Sequence, residues 1–299
     1  MSTLNLGMIG LDTSHAAIFT KLLNDPKEAF HVGGGKVVIA SPAGSPDFDL
    51  SCSRIEGITK EVAAYDVEIV KSIEEVAEKC DAILVESVDG RAHLEQVSRL
   101  APFQKPLFID KPFCLSAADA VRMIEIAEQN QAPIMSASAL RFAEALQKSL
   151  AALEKREIIG ADCFGPMEMA VTQPGYFWYG IHAIEMLYAI LGRGVHHITA
   201  VGNRDHDLIA AQWENEKIGT VRGNRRGNYS FGAVIHHEQG SEYILVDSSA
   251  KPFYASLLEH IIHFFSTGKT AVPLEEILDI IRFIEAANKS RKTGMRVFL

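Results

Sequence analysis

The chain has 299 residues, 47% of them hydrophobic and 22% charged, a balance that suits one large packed domain or two ordinary ones. Its formal charge of −9 argues against a general nucleic-acid surface or an anionic membrane as partner. No apolar run approaches the roughly 18 residues of a membrane span, and Leu4–Leu11 is too short and strand-like for a signal peptide. The four cysteines, Cys52, Cys80, Cys114 and Cys163, are scattered without zinc spacing, as expected of reduced thiols in a cytoplasmic protein.

Leu6–Gly10 reads as a strand, followed by a helix from about Ser14 to Leu23 that Asn24-Asp25-Pro26 ends. Lys36–Ala40 and Glu68–Val70 are the next strands, and Ser72 with Glu75 caps a helix through Lys79. Ala82–Val85 is a fourth strand before a helix from about Arg91 to Leu100. Leu107–Asp110, a helix over Ala117–Gln129 and a strand over Ile134–Ala137 complete this half. Strand, helix, strand at this spacing requires parallel pairing, and right-handed crossovers give a doubly wound sheet. After a helix near Arg141–Lys155 the rhythm changes. Tyr229–Ala233 and Glu242–Val246 alternate apolar and polar residues around Gly240, which argues for an antiparallel sheet with one exposed face. Helices over Phe253–Ser266 and Leu274–Ser290 close the chain, the second striped by Ile277, Ile280, Ile281 and Ile284. The expected fold class is α/β, a parallel sheet followed by an α+β domain with an open, mostly antiparallel sheet.

Ile109-Asp110-Lys111-Pro112-Phe113 is the most informative stretch. Leu107, Phe108 and Ile109 form the strand, and Pro112 cannot donate to a ladder and biases Lys111 toward an extended backbone. Ser116 with Asp119 then caps the next helix. Such a junction lies at the carboxyl ends of the strands, where ligands bind, so Lys111 is either a site residue or a solvated turn lysine.

Gly10-Leu11-Asp12-Thr13-Ser14-His15 stands where a dinucleotide fingerprint, G-x-G-x-x-G, would be. Gly10 fits, while Asp12 and His15 replace the second and third glycines, and Asp12 places bulk and negative charge toward the phosphates. Thr13 and Ser14 begin a helix, as an anion site with hydroxyl donors or as a plain N-cap. After the second strand, Ser41-Pro42-Ala43-Gly44-Ser45 offers neither the ribose-binding acid of an NAD site nor an adjacent arginine, which leaves NAD or NADP open.

These stretches resemble the glucose–fructose oxidoreductase / inositol dehydrogenase / rhizopine-catabolism (Gfo/Idh/MocA) family. The resemblance rests on Gly10, on Asp110-Lys111-Pro112 against the family's Glu-Lys-Pro, and on Gly180-Ile181-His182. It extends to Thr267-Gly268-Lys269 with Glu275, Ala286-Ala287, Ser290 and Gly294, and covers nearly the whole chain. It implies an NAD(P)-binding Rossmann domain over residues 1–138 and a substrate-binding and oligomerisation domain over 139–299. It further implies hydride transfer on a sugar, polyol or related hydroxyl compound, and a homo-oligomer. Lys111 is similar to the lysine that contacts nicotinamide ribose and substrate, His182 to the histidine that exchanges the substrate proton, and His93 to the histidine after the fourth strand. Ser41, Ser87 and Asp89 join Gly10, Asp12, Thr13, Ser14, His15 and Lys111 as cofactor-binding candidates, although Glu86–Gly90 differs from the family's Thr-Pro-Asn. The family's aspartate four residues before the histidine is Trp178 here.

Read from the residues alone, Trp178, His182 and Glu185 fall at i, i+4 and i+7 of one helix face. Such a face could line a sugar pocket or carry a surface histidine paired with Glu185. All three are candidate substrate contacts, and Glu185 is the expected partner of His182. His196-His197 and His236-His237 do not suggest metal, because adjacent strand residues point to opposite faces. Arg222, Arg225 and Arg226 read as a solvated hairpin end. The leading expectation is an NAD(P)-dependent dehydrogenase with Lys111 and His182 catalytic and no metal. The competing class is a non-catalytic nucleotide- or sugar-binding regulatory protein on the same fold.

Overall fold

The structure is a computed structural model and describes residues 3–247 and 251–299. It divides into two compact units, one comprising the chain up to Ala137 together with Tyr254–Leu274, the other Ser138–Phe253 with Glu275–Leu299.

The first unit carries six strands: β1 (Leu4–Ile9), β2 (Gly35–Ser41), β3 (Glu68–Ile69), β4 (Ala82–Val85), β5 (Leu107–Ile109) and β6 (Ile134–Ser136). They pair in parallel in the order β3-β2-β1-β4-β5-β6. All four residues of β4 and all three of β5 are buried, as continuous apolar strands covered on both faces must be. The connecting helices are α1 (Ser14–Asn24), α2 (Asp49–Ala63), α3 (Ile73–Glu78), α4 (His93–Leu100) and α5 (Ala117–Asn130). Ser72 caps α3 and Ser116 caps α5 as their sequence signatures predict. Helix α2 was not anticipated from the sequence, because it buries only Ser51, Ile58 and Val62 and shows little apolar stripe. The strand order reverses between β1 and β4, which makes the carboxyl ends of these two strands the switch point where doubly wound sheets bind ligands.

The second unit holds β7 (Ile158–Pro166), β8 (Val195–Gly202), β9 (His206–Trp213), β10 (Ile218–Asn224), β11 (Phe231–His237), β12 (Gly240–Val246) and β13 (Val297–Phe298). Their order is β12-β11-β7-β10-β9-β8-β13. The β7–β10 pair is parallel and the others antiparallel. Alternation is plain in β9, where Asp207, Ile209, Ala211 and Trp213 are buried and Leu208 is exposed. The helix expected near Arg141–Lys155 is shorter: a 3₁₀ turn over Ala139–Phe142 precedes α6 (Glu144–Ala152). Helix α7 (Gly180–Leu191) ends on Gly192, whose φ of +73° lies in the region that favours glycine. Helix α8 (Phe253–Thr267) lies, from Tyr254 on, with the first unit, while α9 (Leu274–Thr293) buries the expected isoleucine stripe in the second. Among the described residues no helix is long and apolar enough to cross a membrane.

Candidate active site

The turn after β1 is built on close packing. Gly10 has φ +90°, and a Cβ there would lie 2.3 Å from the backbone nitrogen of Ser87. Only glycine fits between the β1 and β4 loops. Thr13 caps α1, its hydroxyl accepting the His15 N–H at 3.5 Å, and Ser14 is exposed as the first helical residue.

Asp12 corrects the sequence reading. Its carboxylate does not face outward but is fully buried, accepting from the Ser51 hydroxyl at 2.6 Å and the Val88 N–H at 3.0 Å. Burial raises its pKa, and these two hydrogen bonds pull the other way. The charge at the second glycine position is thus spent joining three segments of the unit.

Ser41 is buried with its hydroxyl donating to the Lys71 carbonyl at 3.2 Å. The Ser87 hydroxyl accepts from the Gln96 amide at 2.7 Å. Beside it a cleft of about 200 Å³ is lined by Ala43, Gly44, Ser45, Ser87, Gln96 and Arg99 among others. Asp89 is buried and ion-paired with Arg91 at 2.7 Å, and Arg91 also reaches Asp47. His93 is a brace: one ring nitrogen lies 2.9 Å from the Pro112 carbonyl and the other 2.8 Å from the Ser87 carbonyl. It ties the loop after β4 to the turn after β5.

At the carboxyl ends of β4 and β5, Glu86, Asp110 and Lys111 are all buried, and His15 from the first turn of α1 joins them. His15 Nδ1 is 2.8 Å from Asp110 Oδ2 and 3.9 Å from Glu86 Oε2, and its Nε2 is 3.0 Å from the Tyr254 hydroxyl. Its ring stacks on Phe19 at 5.8 Å between centroids. Burial lowers the pKa of Lys111, against the pull of Asp110 and Glu86. Burial also pushes Glu86 well above the ordinary carboxylate range, and the Asp110 charge adds to this. Asp110 feels the same burial, but His15 and Lys111 beside it hold it below its ordinary value.

In the second unit, α7 is buried nearly all round, with His182 and Ala189 the two half-buried positions. His182 Nδ1 lies 2.7 Å from the Ser138 hydroxyl. That hydroxyl also accepts the Leu140 N–H at 3.3 Å. Tyr179 and Phe231 pack edge-on against the imidazole at 5.4 and 5.7 Å.

The expected His182–Glu185 pairing is not what the structure contains. Glu185 is buried and accepts from the Ser138 N–H at 3.0 Å and from Arg141 at 2.8 Å, and Arg141 also grips Glu276 at 2.5 Å. A carboxylate committed in this way is an internal anchor rather than a substrate contact. Trp178 is also displaced from the helix face on which the sequence reading put it, because α7 begins at Gly180 and Trp178 lies buried in the preceding turn. Arg225 departs from a solvated hairpin end: it pairs with buried Asp207 and donates to the carbonyls of Asn203 and Arg204. Arg226 is exposed as expected.

Sequence reasoning missed Glu86, Tyr254, Ser138 and Arg141. An acid closing the apolar run Ala82–Val85 was a readable signal for Glu86. Nothing local marked the other three, whose partners lie 44 or more positions away in sequence.

Residues 5–138 match the model of the oxidoreductase family with an NAD-binding Rossmann fold, Gfo/Idh/MocA. The chain's fold is similar over its whole length to solved structures. A myo-inositol dehydrogenase from Corynebacterium glutamicum aligns with a TM-score of 0.81 at 14% identity, over 100% of this chain and 99% of that one. A scyllo-inositol dehydrogenase from Lactobacillus casei, with bound NAD(H) and scyllo-inositol, aligns with a TM-score of 0.78 at 14% identity, over 99% of both chains. No curated protein sequence matches the chain.

Proposed function

We propose that the protein is an NAD(P)-dependent dehydrogenase acting on a sugar, a polyol or a related hydroxyl compound, with the residues up to 138 serving the dinucleotide and the later ones the substrate. The observation that carries this reading is Gly10, packed on the Ser87 backbone at the strand-order switch point, within a family whose Rossmann fold binds NAD. The chain's residues fit a dinucleotide: a loop that only glycine can make, the exposed start of α1 with Thr13 and Ser14 as an anion site, and the cleft at Ala43–Ser45 and Ser87 as the place for the adenosine end. The inositol bound to one structural neighbour supports a polyol class of substrate.

The nicotinamide, when bound, supplies the hydride acceptor or donor. Lys111, at the end of β5, orients and polarises the substrate oxygen, and its burial lowers its pKa. His182, held by Ser138, exchanges the substrate proton through Nε2. Trp178 stands where the family has an aspartate, and Ser138 takes over orienting the imidazole. Ser41, Ser87 and Asp89 act by shaping the cofactor loops through their bonds within the unit. The expected setting is a cytoplasmic homo-oligomer, checked by light scattering.

Calorimetric titration with NAD, NADH, NADP and NADPH, followed by a polyol panel including myo- and scyllo-inositol, tests the reading. Binding of a dinucleotide and turnover of a polyol are expected. No binding near millimolar concentrations overturns it. Binding without turnover on any polyol favours the regulatory alternative, to which Trp178 in place of the acid points.

A further inference from the structure

We infer that His15, Glu86 and Asp110 form a binding site for a divalent transition-metal cation of the zinc or manganese type, at the carboxyl ends of β4 and β5. One donor atom from each lies within 4.8 Å of the others. A cation about 2.1 Å from each of three tetrahedrally placed donors would set those donors about 3.4 Å apart. The distances of 2.8 Å and 3.9 Å from His15 Nδ1 to Asp110 and Glu86 straddle that value, so shifts of well under an ångström complete the site.

The unpartnered buried atoms point to a ligand. Both oxygens of Glu86, one oxygen of Asp110 and Nδ1 of His15 are buried without any hydrogen-bond partner. Glu86 is fully buried, where a polar group without a hydrogen-bond partner is destabilising. Next, His15 Nε2 faces the Tyr254 hydroxyl at 3.0 Å. In the tautomer with Nε2–H donating to Tyr254, Nδ1 presents a lone pair toward Asp110 Oδ2, although the two atoms are only 2.8 Å apart. A cation bound between Nδ1 and Asp110 takes the place of the proton that the other tautomer, or the imidazolium, would put there. Tyr254 thereby plays the part that outer partners play at metal-bound histidines, fixing tautomer and ring plane.

The donor set decides the class of ion. Imidazole suits zinc, iron and nickel, and carboxylates extend the range to manganese, whereas magnesium prefers oxygen alone. Three protein ligands leave further coordination positions open. The site is complete within the first unit and does not depend on the dehydrogenase assignment.

Chelator-treated wild-type protein titrated by calorimetry with Zn²⁺, Mn²⁺ and Mg²⁺ separately should bind one Zn²⁺ or Mn²⁺ per chain, and Mg²⁺ more weakly. Glu86→Gln should weaken this binding by at least ~10²-fold, and Tyr254→Phe by roughly 10-fold, as expected for losing a ligand and an outer partner respectively. Absence of binding by the wild type, or equal binding by Glu86→Gln, overturns the site. X-ray absorption of the zinc-loaded wild type needs no variant: one nitrogen with oxygens in the first shell is expected, and a sulfur-containing or all-oxygen shell overturns it. A parallel NADH titration of the metal-free protein separates the two proposals. Metal without NADH leaves the site standing and removes the dehydrogenase reading, and NADH without metal does the reverse.

Discussion

Glu86 and Glu185 are both buried glutamates, and the protein treats them oppositely. Glu185 accepts a backbone N–H from Ser138 and a guanidinium hydrogen from Arg141, which a second acid, Glu276, also holds. Glu86 sits between an acid and a lysine with both oxygens unsatisfied. A buried charge is tolerated when paired and hydrogen-bonded, and leaving it bare is costly. The satisfied glutamate therefore reads as architecture. The bare one marks a place where the fold gives up stability for something it binds.

The largest effect expected of this contrast is on stability. Arg141→Met strands two buried carboxylates and should cost about 3–5 kcal/mol in urea unfolding. Glu86→Gln in metal-free protein breaks no hydrogen bond and should cost nothing comparable. Equal losses in the two variants would erase the distinction between the two sites.

Turnover sharpens the same contrast. Lys111→Met, in the unsatisfied cluster, should lower turnover on an identified polyol by roughly 10²-fold while keeping the fold and most of the cofactor affinity. Wild-type turnover in this variant would remove Lys111 from the chemistry.

Ser138 links the satisfied region to His182, so its removal should be milder. Ser138→Ala should lower kcat by about fivefold, the scale of one lost neutral hydrogen bond of roughly 1 kcal/mol. It should also move the pH profile of kcat, and Ser138→Thr should restore both. An unchanged pH profile in Ser138→Ala would show that the hydroxyl does not set the state of the imidazole.

An exposed glutamate supplies the low end of the scale. Arg99, with help from Ser72, lowers the pKa of Glu74 from 4.5 to about 2. A folded pKa below the unfolded one adds stability above pH 4.5, lost as pH falls toward 2. Solvent screening limits the benefit to about 1 kcal/mol or less. Glu74→Gln should therefore destabilise slightly at neutral pH and converge with the wild type in acid. A constant difference across that range would assign the effect to something other than the charge.

The first unit was largely legible because its signals are local. Apolar runs of β4 and β5, the caps Ser72 and Ser116, and the Lys111-Pro112 junction each depend on residues within a few positions. Helix α2 escaped because its buried set is too sparse to show a period. Around His182 the reading went astray for the opposite reason. Glu185 is the nearest acid in sequence, one helical turn along, whereas the actual partner, Ser138, is 44 positions away.

The sequence by itself determined the element types, the switch from parallel to antiparallel pairing, and the placing of Gly10 and Lys111 at strand ends, since periodicity, caps and turn chemistry are written in short windows. The tertiary structure alone decided which way polar side chains turn. It sent Asp12 inward to Ser51 and Val88, gave Glu185 to Arg141, and gathered His15, Glu86 and Asp110 from three separate segments. Those outcomes depend on burial and on partners supplied by distant chain, and a buried polar group takes whatever donor the fold brings within reach.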